Sequence, residues 1–178
     1  MKVEKGVVSM RYYHLYNLLY HHGQDILNSK NMQLEKDFMQ HGHLSCYCHS
    51  LFVAYISLRI VKSLHLNANE RSLIRGALLH DYFLYDWHLP SPNNKRHAFS
   101  HPRRAYENAS IDFELNEMER DIILKHMFPL TLKLPRYKES YIVLMADKYC
   151  AVYETLAKSK TRVKVEHLEK MVNQKTSH

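Results

Sequence analysis

The sequence contains few of the residues that interrupt regular structure, with only four glycines and five prolines among 178 residues. Glycine and proline are the residues that most often form turns and end helices. Their scarcity argues against a fold with many tight turns and favours long regular elements. We therefore expect an all-α fold.

Cysteine is also scarce, and long apolar runs are missing from the sequence. The three cysteines, Cys46, Cys48 and Cys150, are too few and too uneven for a disulfide framework, and reduced thiols are typical of a reducing compartment. No apolar run approaches the roughly 18 to 20 residues of a membrane span, and the N-terminus has no signal-peptide core. We therefore expect a soluble, cytoplasmic protein with one domain over residues 1–178.

Basic residues outnumber acidic ones, which gives a formal net charge of +7 and a pI near 9.2. Such a balance favours anionic partners. The lysines and arginines are scattered, without a run of five or more. This pattern favours a small phosphorylated ligand over nucleic acid. With no long apolar run we expect no membrane partner, and a homo-oligomer is possible.

Apolar residues recur at helical spacing along most of the chain. We predict helices over residues 10–28, 31–40, 46–65, 138–158 and 162–173. Capping boxes at Asn67–Glu70 and Asn116–Glu119 predict the starts of two more helices. A further helix begins at Ser100 and Pro102 and ends at about Ser110. The N-terminal helices then fill residues 1–45, a core spans about 46–158, and the charged last helix is peripheral.

Several of these helices carry a histidine or an aspartate where the apolar stripe calls for a hydrophobic side chain. His49 shares its stripe with Phe52, Val53 and Ile56, and His80 and Asp81 end the next apolar helix. His126 and Asp147 lie on two further stripes, and His101 lies at a helix start. Burying these groups without a cation would leave charges and donors unpaired. Imidazole nitrogens and carboxylate oxygens are suitable ligands for divalent ions, which would resolve the conflict.

The order of these residues resembles the HD-domain superfamily of metal-dependent phosphohydrolases. His49, His80–Asp81 and Asp147 match its H…HD…D pattern, with His49 lying 31 residues before His80 and Asp147 lying 66 after Asp81. His101 and His126 extend the match to the H…HD…H…H…D pattern of members that bind two metals. The resemblance implies a helical bundle of seven to eight helices around a buried metal site.

By this resemblance, one ion would be held by His49, His80, Asp81 and Asp147, and a second by His101, His126 and a bridging oxygen of Asp81. His97 is an alternative to His101 as a ligand. Whether one or two ions bind stays open, and so does their identity among Mn, Fe, Co, Ni, Zn and Mg.

The resemblance also implies hydrolysis of a phosphate ester of a small metabolite or nucleotide by a metal-activated hydroxide, with His80 and Asp81 at the centre of catalysis. Candidate substrate-binding cations near these residues in sequence are Lys95, Arg96, Arg103, Arg104, Lys125 and Lys148. Two alternatives remain: a di-iron oxygenase built on the same pattern, and a metal-stabilised binding or regulatory module without turnover.

Overall fold

The computed structural model of the protein describes residues 2–41, 44–88, 97–157 and 165–172, and within them the side chains from residue 13 onward except that of His41. Its helices are α1 (Lys2–Leu27), α2 (Lys30–Leu34), α3 (Cys46–Ser63), α4 (Glu70–Leu79), α5 (His97–Asp112), α6 (Glu117–Lys125), α7 (Lys138–Leu156) and α8 (165–172). Two short strands, β1 (Met39–His41) and β2 (Leu44–Ser45), pair antiparallel. The prediction of an all-α bundle of seven to eight helices is confirmed.

The centre of the bundle is α3, which packs against α1, α4 and α7. Helix α4 also packs against α6, and α5 packs against α6. Most of α3 from Cys46 to Leu58 is buried, so its apolar side chains contact neighbours on several sides. Burial of this apolar surface, at about 25 cal/mol per Å², is the main force that assembles the helices.

Gly76 allows α4 and α6 to approach each other closely. A Cβ atom at this position would lie 2.6 Å from Cδ1 and 2.9 Å from Cβ of Ile122. Any larger side chain would therefore push the two helices apart. This matters for the site because α4 leads into His80 and Asp81, and α6 leads into His126.

The structure corrects two predictions near the N-terminal side of the site. The second helix ends at Leu34 instead of residue 40, and residues 39–41 form β1. The strand is favoured because it pairs with β2, and the Cys46 N–H at the start of α3 donates to the carbonyl of Phe38, the residue just before the strand, at 2.8 Å. The N-cap of α4 is Asn69 instead of Asn67, since the Asn69 side chain accepts from the Ser72 N–H.

The start of α5 also differs from the prediction, whereas the next cap agrees with it. Helix α5 already includes His97, so His101 lies in its second turn and Pro102 lies inside the helix. Pro102 is the sixth residue of α5 and has no N–H to donate to the preceding turn, so it removes one interior hydrogen bond of the helix instead of occupying the first turn as predicted. The capping box of Asn116 and Glu119 at the start of α6 is confirmed.

Helix α8 contributes three apolar side chains to the core, namely those of Val165, Leu168 and Val172. Glu169 on the same helix pairs with Lys36 at 3.3 Å. None of the helices in the described ranges combines the length and the hydropathy that crossing a bilayer would require.

Candidate metal centre

The six histidines and aspartates predicted as metal ligands lie together around one buried space. His49 lies in the first turn of α3, Asp147 in the middle of α7, and His101 in the second turn of α5. His80 and His126 are the C-cap residues of α4 and α6, and Asp81 follows His80. All six are buried, and none is more than 6% exposed. Residues spread over a hundred positions of sequence thus converge at one place.

The first donor group consists of His49, His80 and Asp147, whose ligand atoms all lie within 4.8 Å of one another. Asp147 Oδ1 is 3.2 Å from Nε2 of His49 and 3.7 Å from Nε2 of His80. Two imidazole nitrogens and a carboxylate oxygen therefore face a common point. This donor set suits a divalent transition-metal ion.

The second donor group consists of Asp81, His101 and His126, whose ligand atoms also all lie within 4.8 Å of one another. Asp81 Oδ1 is 3.2 Å from Nε2 of His101 and 3.5 Å from Nε2 of His126. The two Nε2 atoms of His101 and His126 are only 2.7 Å apart. His101 belongs to this group, whereas Nδ1 of His97 accepts a hydrogen bond from the Tyr85 hydroxyl at 2.7 Å.

The Asp81 carboxylate lies between the two donor groups. Its Oδ1 faces the second group, as described, and its Oδ2 is 3.4 Å from Nε2 of His80 and 3.8 Å from Nε2 of His49. One carboxylate thus offers a separate oxygen to each group. This arrangement is the one that a bridging ligand between two ions requires.

The four imidazoles share one orientation, which their Nδ1 atoms determine. Nδ1–H donates to the Ala77 carbonyl in His80, to the His97 carbonyl in His101 and to the Ile123 carbonyl in His126, at 2.8 to 3.0 Å. In His49 it donates to both oxygens of Glu154 at 3.0 Å. In its neutral form with the proton on Nδ1, each ring directs the lone pair of Nε2 into the shared space. Metal-binding histidines are typically held in this way.

The shared space has polar atoms that the protein itself does not satisfy. Nε2 of His80 is buried and has no hydrogen-bond partner among the described residues. Nε2 of His101 and Nε2 of His126 face each other at 2.7 Å, where two lone pairs would repel. A buried acceptor without a partner costs about 1–3 kcal/mol. A cation in the space would satisfy these atoms together, so the residues fit divalent metal ions.

The electrostatics keep the two carboxylates and His126 in the protonation states that metal binding needs. Burial raises the pKa of the Asp81 carboxyl, but His80 and the other imidazoles outweigh it and hold that pKa well below its usual range. The pKa of Asp147 is low because His49 and His80 likewise outweigh burial. Burial lowers the pKa of His126 to about 4. The carboxylates are thus ionised and His126 is neutral at pH 7.

His49 differs from His126 in its pKa. Burial alone would lower the pKa of His49, but the carboxylates of Glu154 and Asp147 hold it well above 6.5. A metal ion that takes Nε2 of His49 must therefore displace a proton, so its affinity rises with pH.

Two of the candidate substrate-binding cations are linked to the donor groups, one by direct contact and one through two intervening rings. Nζ of Lys148 is 3.0 Å from Asp147 Oδ2 and is partly exposed, next to the first donor group. The Arg104 guanidinium lies 4.9 Å over the Tyr85 ring, and Tyr85 contacts His97, whose ring stacks on that of His101 at 4.7 Å. The two cations thus approach the site from α7 and from α5.

Of the other four candidates, the two that the structure describes pair with acidic residues of their own helices. Nε of Arg103 pairs with Glu107 at 2.7 Å on the exposed face of α5, and Nζ of Lys125 pairs with Asp121 at 2.5 Å. Lys95 and Arg96 lie outside the described residues.

Two further residues contact the site and were not predicted from the sequence. Glu154 lies two helical turns after Asp147 on α7, so a buried acid at the same stripe could have indicated it. Gln40 donates a hydrogen bond from Nε2 to Asp81 Oδ2 at 2.5 Å. No periodicity or spacing in the sequence points to Gln40, because it precedes α3 in a two-stranded segment.

Comparison with known proteins gives one match. The family model described as HD domain matches residues 46–152, which contain all six of the converging histidines and aspartates. No curated protein and no solved structure matches the chain significantly.

Proposed function

Because this chain belongs to the HD domain family, we propose that it is a metal-dependent phosphohydrolase that cleaves a phosphate ester of a small metabolite or nucleotide. The observation that carries the proposal is the position of Asp81. Its two oxygens face two groups of donors. In every imidazole of these groups, Nδ1 forms a hydrogen bond with an oxygen outside the shared space, which leaves Nε2 directed into it. The arrangement supports two adjacent ions, which is the geometry used for attack on phosphate esters.

In this proposal the first donor group together with Asp81 Oδ2 would hold one ion, and the second donor group would hold the other. When bound, such ions supply Lewis acidity and lower the pKa of water from 15.7 to roughly 7. The protein contributes the orientation of each ligand. Glu154 holds the His49 ring through both carboxylate oxygens, and main-chain carbonyls hold the other three rings.

Lys148 and Arg104 would bind the phosphate of the substrate. The Lys148 ammonium lies beside Asp147 and is partly exposed, so it can contact a phosphate oxygen next to the first donor group. Cations that stabilise negative charge in the transition state are typically worth about 100-fold in rate. Lys148 is therefore the stronger candidate, since it directly contacts a donor residue.

The substrate is proposed to be small and phosphorylated because the net charge of +7 comes from scattered residues. The three cysteines are free thiols, and two of them are buried, which supports a cytoplasmic location.

The first experiment is elemental analysis of protein purified without chelators, followed by assays on generic phosphomonoesters and phosphodiesters with added Mn²⁺, Co²⁺ or Ni²⁺. We expect two ions per chain and a hydrolysis rate that Asp81→Ala abolishes. A rate no higher than that of Asp81→Ala would favour the binding or regulatory module. Oxygen consumption by the iron-loaded protein, without phosphate release, would favour the oxygenase.

The second experiment tests the substrate-binding lysine. We expect Lys148→Gln to lower kcat/KM by about 100-fold and to leave two ions bound. Lys138→Gln is the matched control, because Lys138 is an exposed lysine ten residues earlier on α7. Equal kcat/KM values for the two variants would contradict the role of Lys148.

A further inference from the structure

Gln40 connects the strand β1 to the Asp81 carboxylate. Its side chain is buried, and Nε2 donates to Asp81 Oδ2 at 2.5 Å across 41 residues of sequence. Gln40 lies before residue 46, so it is outside the range that the family model matches. The family match therefore assigns it no role.

The neighbouring thiol fixes which end of the Gln40 amide faces Asp81. Sγ of the buried Cys46 donates to Oε1 of Gln40 at 3.4 Å. Because Oε1 accepts this bond, the NH₂ end of the amide must be the end directed at the carboxylate. Burial raises the pKa of the Cys46 thiol, so the thiol keeps its proton and remains a donor. The donor towards Asp81 is thus present whether or not a cation is bound.

The Asp81 carboxylate needs such a donor because rotation about its Cβ–Cγ bond is only weakly restricted. Rotation about the last bond of an aspartate side chain has a broad minimum. Imidazole nitrogens lie 3.2 to 3.8 Å from both oxygens of Asp81, so they do not by themselves select one orientation of the carboxylate. The Gln40 amide instead holds Oδ2 on the side of the first donor group, which leaves Oδ1 on the side of the second.

We propose that Gln40 is a positioning residue that holds the Asp81 carboxylate across the two donor groups, so that binding of the second of two ions depends on it. The proposal rests on the proposed function in one respect, since it takes the two donor groups as ion sites. Without Gln40, the carboxylate can turn so that both oxygens serve one ion. The chain would then bind one ion tightly and the other weakly.

The test is a calorimetric titration of the metal-free full chain with Mn²⁺, repeated with Co²⁺ while its visible absorption is recorded. The variant Gln40→Met keeps the length of the side chain and removes the donor. Gln40→Asn keeps the amide and withdraws it by one methylene, and it serves if the first variant does not fold. The matched control is Gln33→Met, because the Gln33 amide donates to the Leu27 carbonyl and contacts neither donor group.

We expect the wild type and Gln33→Met to bind two ions. In either Gln40 variant, the affinity for the second ion should fall by about 10- to 100-fold, as is usual when a partner of a metal ligand is removed. The Co²⁺ spectrum after the first equivalent should also change, which a loss of stability alone would not cause. Two ions bound by a folded Gln40 variant with wild-type affinities would overturn the proposal. Absence of metal binding by the wild type would instead refute the proposed function.

Discussion

The contact between α4 and α6 at Gly76 provides a direct test of the packing that holds the donor groups together. In Gly76→Ala, the new Cβ would lie 2.9 Å from the Cβ of Ile122 and 2.6 Å from its Cδ1. Carbon atoms pack at about 3.5–4.0 Å, so the two helices would have to separate by roughly 0.6 to 1 Å. Rotation of the Ile122 side chain cannot relieve the contact, because its Cβ is attached to the backbone.

The expected loss of stability follows from two opposing terms. Overpacking a core costs about 1–3 kcal/mol, and a contact between two Cβ atoms belongs at the upper end of that range. Alanine is about 1 kcal/mol more favourable than glycine inside a helix, which offsets part of the cost. We therefore expect Gly76→Ala to lower the free energy of unfolding by about 2 kcal/mol.

Gly23 on α1 offers a matched control for this substitution. A Cβ at Gly23 would lie 2.5 Å from Cδ1 of Leu78, the end of a flexible side chain that can rotate away. The same gain in helix propensity then balances the adjustment of Leu78, so we expect Gly23→Ala to change the stability by less than about 1 kcal/mol.

The assay is urea unfolding of both variants and the wild type, followed by circular dichroism, with chelator present so that only packing is measured. Equal stabilities of the two variants would refute the conclusion that α4 and α6 touch through backbone-fixed atoms. A Gly76→Ala variant at least as stable as the wild type would refute it as well.

Three further predictions concern the metal and the buried acids. Mn²⁺ at about 100 times its Kd should stabilise the fold by about 2.7 kcal/mol in thermal unfolding, with no gain in Asp81→Ala; an equal gain in that variant would locate the ion elsewhere. Glu154→Ala should weaken Mn²⁺ binding about 10- to 100-fold in titrations at pH 8, because the Nδ1 proton of His49 loses its acceptor; unchanged affinity would contradict this. Burial raises the pKa of Glu35 from 4.5 to about 8, so the stabilisation from its protonated form is complete below pH 4.5 and is lost as pH rises through 8. Between pH 5 and 8, the free energy of unfolding should therefore fall more steeply in the wild type than in Glu35→Gln, by up to about 1.4 kcal/mol per pH unit. The same pH dependence in both proteins would contradict this assignment.

The helices that carry the site could be predicted because each one has a strong apolar stripe. In α3 and α7, the stripe also identified the polar residues that interrupt it, namely His49 and Asp147. Such interruptions are informative because burial of an unpaired polar group is costly. The capping box at Asn116 was equally visible, since it depends only on local spacing.

The remaining features depend on contacts between distant parts of the chain. Residues 35–40 read as helical by their own sequence, yet β1 forms because it pairs with β2, while the Cys46 and Tyr47 N–H groups of α3 donate to the carbonyls of Phe38 and Glu35 just before the strand. Gln40 meets Asp81 across 41 residues, and Glu154 meets His49 across 105. Local periodicity contains no information about such pairs, so they could be found only from the structure.

His80 and His126 are each the C-cap residue of a helix, and the imidazole ring of each also faces the shared space. Their Nδ1 atoms donate to the carbonyls of Ala77 and Ile123, three residues earlier in each helix. Inserting or deleting one residue in α4 or α6 would turn the closing ring by about 100° and move it about 1.5 Å along the axis. These two helices must therefore keep their residue count even where their side chains are free to vary, and changes in chain length have to be accommodated in the loops.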